Sequence, residues 1–205
     1  MTQHAIRGTP WLLLGVAAAL VTVLLRVVEH WPYTMWPLQG VAVGLLAGAA
    51  AWAYDEPAAA VVDTLPRGLA WRTAARAIGV VVLLGWWTAS VVWTRTAYFD
   101  HAADVWWQGV VAVLAVSAGA TWLRRGGSAA PGRPVGTVAV GAAAYLALIR
   151  PGEAAVPVFP YTDAGPWPDS RAWWSVLAAA ALAGLWIALT EVHRPGRLAA
   201  PRALT

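Results

Sequence analysis

The stretch "QGVAVGLLAGAAAWAY", residues 39–54, decides the fold. It runs without a charge, and Gly40, Gly44 and Gly48 recur in it at strict four-residue spacing. Four residues are a little more than one helical turn, so the three glycines fall on one face of a helix. A face without side chains lets another backbone approach closely, which is how helices associate in lipid. The stretch therefore predicts a membrane-spanning helix with a tight helix–helix contact, inside the chain or with a second subunit.

Composition carries this reading to the whole chain. Of 205 residues, 60% are hydrophobic and only 12% charged, where a soluble domain of this size has about 25% charged residues. Six apolar runs follow one another at 10–28, 36–54, 74–94, 105–123, 134–149 and 172–190. A span needs about 20 residues, so five fit and the fifth, at 134–149, is short. The first run is read as a retained span, because no small-x-small cleavage site follows it before "RVVEHWPY". The expected fold is an all-α integral membrane protein of six spans, a single polytopic domain over residues 1–205.

Orientation follows from arginine, since lysine is absent and all fourteen cations are arginine. With the N-terminus inside, ten arginines (7, 67, 72, 76, 124, 125, 133, 194, 197 and 202) lie on the inner side. Arg26, Arg95, Arg150 and Arg171 lie outside. That bias puts both termini in the cytoplasm. Alanine, glycine, arginine and tryptophan abound, as in GC-rich genomes, and the expected location is a bacterial plasma membrane. The net charge of +4 is spread across that membrane, and no nucleic-acid partner is expected. Without lysine no P-loop can form, and without cysteine no thiolate metal site or disulfide.

No catalytic or metal-binding residue is assigned. His4, His30, His101 and His193 all fall outside the spans, so Ser90 and Ser117 have no intramembrane histidine as base. Their expected role is hydrogen bonding, local or between helices. Glu29, His30, Asp100, His101 and Asp104 are metal-ligand types on two outer loops. They lack any H-x-x-H spacing and read as solvated loop residues, with Asp104 as the N-cap of the fourth span. Arg26 is expected to snorkel outward or to pair with Glu29, three residues on. Most tryptophans fall at span ends and read as aromatic belts. Trp86 and Trp87 fall mid-span, where an indole N–H needs an acceptor on a neighbouring helix or in a cavity.

Two connecting segments stand out. Residues 150–174, "RPGEAAVPVFPYTDAGPWPDSRAWW", hold five prolines and the aromatics Phe159, Tyr161 and Trp167. They fit either a partly re-entrant segment or an outer connector with aromatic anchors. Residues 55–76, "DEPAAAVVDTLPRGLAWRTAAR", read as a short amphipathic helix at about 57–65, a turn at "PRG", and a basic entry into the third span.

In that second segment the chain resembles the permease subunits of ATP-binding-cassette transporters, in their small six-span exporter class. The family pattern is an acid, an apolar pair, "LP" with a polar residue, then a basic residue entering the next span. The matching letters are Glu56, Val61, Val62, Leu65, Pro66, Arg67, Arg72 and Arg76. The resemblance implies that this segment is a coupling helix docking in a separate cytoplasmic ATPase subunit. ATP and Mg would then be bound by that ATPase, and this chain would be no enzyme. It further implies a second permease chain, the same or different, and transport directed to export. The other functional class is a non-transporting scaffold or accessory subunit, binding a partner or membrane lipid through its outer aromatic segment. A third, an enzyme acting on lipid through Glu29, His30, Asp100 and His101, is the remaining alternative.

Overall fold

The computed structural model describes residues 8–55, 68–152 and 156–190. Among them are six α-helices and no strand: α1 (Trp11–His30), α2 (Met35–Trp52), α3 (Leu69–Trp93), α4 (Ala102–Arg125), α5 (Gly132–Leu148) and α6 (Trp167–Thr190). Single turns of 3-10 helix follow α1 (Pro32–Thr34) and α3 (Arg95–Tyr98). The helices alternate in direction. Glu29, Asp104 and Arg171 mark one end of the bundle; Asp55, Arg76 and Gly132 mark the other.

Five helices are long and apolar enough to cross a membrane, the pattern of a multi-pass membrane protein. The exception is α5, whose 17 residues span about 26 Å at ~1.5 Å per residue, short of a hydrocarbon core of about 30 Å. Its place in the bundle comes from packing. A Cβ on Gly40 would stand 2.4 Å from Ala147 Cβ, one on Gly44 2.8 Å from Ala143 Cβ, and one on Gly48 2.6 Å from Val140 Cγ2. The contact is reciprocal: a Cβ on Gly132 would meet the Ala51 carbonyl oxygen at 2.2 Å, and one on Gly136 the Trp52 ring at 2.8 Å. Antiparallel α2 and α5 thus touch backbone to backbone along their length, within the chain.

On its other sides α2 meets α1 and α4, which makes it the central helix, with twelve buried residues from Met35 to Ala51. α3 closes the bundle through its two adjacent tryptophans. Trp87 is fully buried and donates its indole N–H to the Trp106 carbonyl on α4 at 3.1 Å. Gly109 makes the room, since a Cβ there would lie 2.3 Å from the Trp87 indole nitrogen. Trp86, half exposed, turns to α1 and donates to Thr22 Oγ1 at 2.8 Å. Each mid-span indole has the acceptor its chemistry requires. Ser90 lies 3.5 Å from Thr22 across the same α1–α3 seam, whereas Ser117 bonds back to the Val113 carbonyl at 2.7 Å.

Candidate functional site

The polar groups of the bundle gather toward its Glu29 end, near the N-termini of α2, α4 and α6. Gln39 on α2 donates its amide to Gln108 Oε1 on α4 at 2.6 Å, and both are 1% exposed. The Gln108 amide nitrogen lies 3.3 Å from Ser170 Oγ on α6 and 3.4 Å from the Val158 carbonyl. Ser170 Oγ also donates to that carbonyl at 3.0 Å, as does the Trp174 indole at 2.9 Å. One backbone oxygen of the α5–α6 connection is thereby held by side chains from two helices. Phe159, next in the chain, is 6% exposed and reaches the face of Gly40.

Residues 156–160 of this connection therefore pack into the mouth of the bundle, while 161–164 stay exposed over it. Proline prevents the connection from forming its own backbone ladder. The bundle supplies the missing donors instead, as a non-helical backbone away from water requires. Arg150 donates to the Phe159 carbonyl at 3.0 Å, and its guanidinium lies 4.1 Å from the Tyr161 ring centroid and 6.0 Å from that of Trp36. Tyr161 stays at the surface, while Trp167, the first residue of α6, is buried and donates its indole to the Thr162 carbonyl at 2.8 Å. Trp167 and Trp174 are thus structural donors inside the protein, not members of an interfacial belt; Trp31, Trp36, Trp93, Trp106 and Trp173 are exposed as a belt requires.

Glu29, His30, Asp100, His101 and Asp104 do not converge. Glu29 pairs with Arg26, whose guanidinium also lies 4.9 Å from the Trp93 ring centroid. His30 packs edge-on against Trp31. Asp104 is not the N-cap of α4: His101 holds that position, and Asp104 is the third helical residue. Only 3% exposed, its carboxylate accepts Arg171 Nε at 2.6 Å on one oxygen and lies 3.3 Å from His101 Nδ1 with the other. The His101 ring stacks on Trp167 with centroids 4.3 Å apart. Among the described residues no three histidines or acids share a place that would hold a metal ion. Nearby, burial holds the Tyr98 hydroxyl up at about 12, against the opposing effect of its hydrogen bond with Thr94.

At the Asp55 end, Arg76 is 8% exposed and donates to the Gly8 carbonyl. Arg72, Arg76 and Arg124 surround a small polar crevice with Tyr54 and Thr121. Of the coupling-segment residues Arg72 is in the first turn of α3, which begins at Leu69. Glu56, Val61, Val62, Leu65, Pro66 and Arg67 lie outside the described residues. Asp55 accepts the Gly132 backbone N–H at 2.6 Å and has Arg133 at 3.7 Å, so it caps α5 from the end of α2.

Sequence reading missed the glutamine pair, although a signal existed. Apart from Gln3 these are the only side-chain amides in the chain, and both fall at the edge of an apolar run. Comparison with protein-family models, curated proteins and solved structures finds no match.

Proposed function

We propose that the chain is the permease subunit of an ATP-binding-cassette exporter, working with a separate cytoplasmic ATPase and a second permease chain. The observation that carries the reading is the α5–α6 connection. Val158 and Phe159 fold back between α2, α4 and α6 and are fixed there by Gln108, Ser170 and Trp174. A re-entrant outer segment between the fifth and sixth helices is what the resemblance implies, and a bundle of six alternating helices accommodates it. Closure of the ATPase dimer would draw two 57–67 segments together, rock the helices, and open the opposite end. Residues Arg72 and Arg76 at the start of α3 would transmit that push, Arg76 through its bond to Gly8.

Leu65→Asp is expected to leave the chain inserted while uncoupling transport from ATP hydrolysis. Full substrate-stimulated ATPase activity of the purified Leu65→Asp complex would remove the coupling assignment. The accessory-subunit reading is favoured by a different feature, the Arg150–Tyr161–Trp36 platform at the surface of the Glu29 end. Affinity purification from the native membrane separates the two. A P-loop ATPase at stoichiometric amount supports the permease; its consistent absence beside a stoichiometric membrane or outer-face partner supports the accessory subunit.

A further inference from the structure

At the Glu29 end the first turns of α4 and α6 flank an open cleft of about 360 Å³. His101, Asp104, Trp167, Pro168, Arg171 and Ser175 line it. Its polar groups are held in place from behind. Asp104 is buried and grips Arg171 through Nε, while the Arg171 side chain stays 61% exposed. An arginine held in this way keeps its two terminal amino groups free, in the planar fork that suits phosphate oxygens. His101 is fixed beside it by the same carboxylate and by stacking on Trp167. Both helices begin at the cleft, so their positive ends face whatever enters it.

The surface next to the cleft is equally specific. From Trp173 onward α6 exposes Val176, Leu177, Leu182, Trp186 and Ile187. An exposed tryptophan just beyond the cleft sets it at headgroup level, with the apolar face of α6 running into the hydrocarbon. We propose that this cleft binds the phosphodiester of a membrane phospholipid, with its oxygens on the terminal nitrogens of Arg171 and its acyl chains along α6. Two considerations favour a lipid over a free anion. Asp104 already balances the charge of Arg171, which suits a singly charged diester better than a multiply charged phosphate. A free anion would also leave the adjoining apolar face unused. The site does not depend on the chain being a permease.

The test is native mass spectrometry of the full chain in a nonionic detergent, with phosphatidylglycerol added and the affinity of the first bound lipid read out. Arg171→Gln is expected to weaken that first binding about tenfold or more, the worth of a charge-assisted hydrogen bond. Ala172→Trp, at an exposed cleft-lining position, fills the cleft while leaving both Asp104 and Arg171 in the sequence, and is expected to do the same. It keeps the test valid should Arg171→Gln fail to fold. Diacylglycerol, which lacks the phosphate, is expected to bind without discriminating wild type from variant. The proposal is overturned if phosphatidylglycerol binds the Ala172→Trp protein as tightly as wild type. Equal retention of diacylglycerol and phosphatidylglycerol would overturn it as well, leaving acyl contact alone. Displacement of the lipid by equimolar inorganic phosphate would also count against it, assigning the cleft to a free anion.

Discussion

Asp55 shows how one side chain closes a helix that cannot close itself. The first N–H groups of α5 lack intrahelical acceptors, as at any helix start. Pro131, just before the helix, offers no side-chain oxygen, so the cap comes from Asp55 at the end of α2. Arg133 adds little, because its side chain is 75% exposed and such pairs contribute weakly. Burial dominates and holds the Asp55 carboxyl above its ordinary value of 3.8, although the Gly132 N–H and Arg133 act the other way. The folded protein therefore binds this proton more readily than the unfolded chain. Its contribution to stability is fully present below pH 3.8, falls as pH rises through the folded pKa, and is flat above it. Asp55→Asn keeps a capping oxygen and removes the ionisation. Unfolding midpoints in detergent from pH 3.5 to 7 are expected to decline with pH in wild type, with that component missing in Asp55→Asn. An unchanged slope in the variant would show that Asp55 ionises alike in both states.

At the scale of elements, the α2–α5 contact governs where the shortest helix goes. Gly44 lies midway along it, with Ala143 Cβ 2.8 Å from where its own Cβ would be. Gly44→Leu is expected to part the two helices and to cost about 1–3 kcal/mol, the usual range for overpacking. Gly15 on α1 has open space around it, so Gly15→Ala should gain about 0.5–1 kcal/mol of helix propensity. The two variants are compared by unfolding in bicelles, and equal effects of the same sign would deny the backbone contact. The spacing of Gly40, Gly44 and Gly48 was legible because it is local and strictly periodic. Its partner was harder to read, because Gly132, Gly136, Val140, Ala143 and Ala147 mix residue sizes and break step once. The polar contacts were illegible for a related reason. Gln39 to Gln108, and Asp104 to Arg171, join residues more than sixty positions apart, which no local pattern records. Asp104 looked like a cap because its neighbours suited one; its real partner is on another helix.

At the scale of the molecule, the charge asymmetry between the two ends decides what can reach the chain from each side of a membrane. Among the described residues the Asp55 end carries Arg72, Arg76, Arg124, Arg125 and Arg133. The Glu29 end carries Arg26, Arg95, Arg150 and Arg171, and there Arg26 and Arg171 are each held by an acid. Arg133 is likewise paired with Asp55 at the other end, so the direction of the asymmetry rests on the arginine count itself. Because the chain contains no cysteine, single cysteines report orientation without background. Tyr33, 79% exposed after α1, and Ala129, exposed between α4 and α5, are positions at opposite ends. In intact cells a membrane-impermeant maleimide is expected to label Tyr33→Cys, and to label Ala129→Cys only after permeabilisation. The reverse pattern would turn the Asp55 end outward. Residues 56–67 would then face away from any cytoplasmic ATPase, and the permease proposal would fall with the orientation it needs.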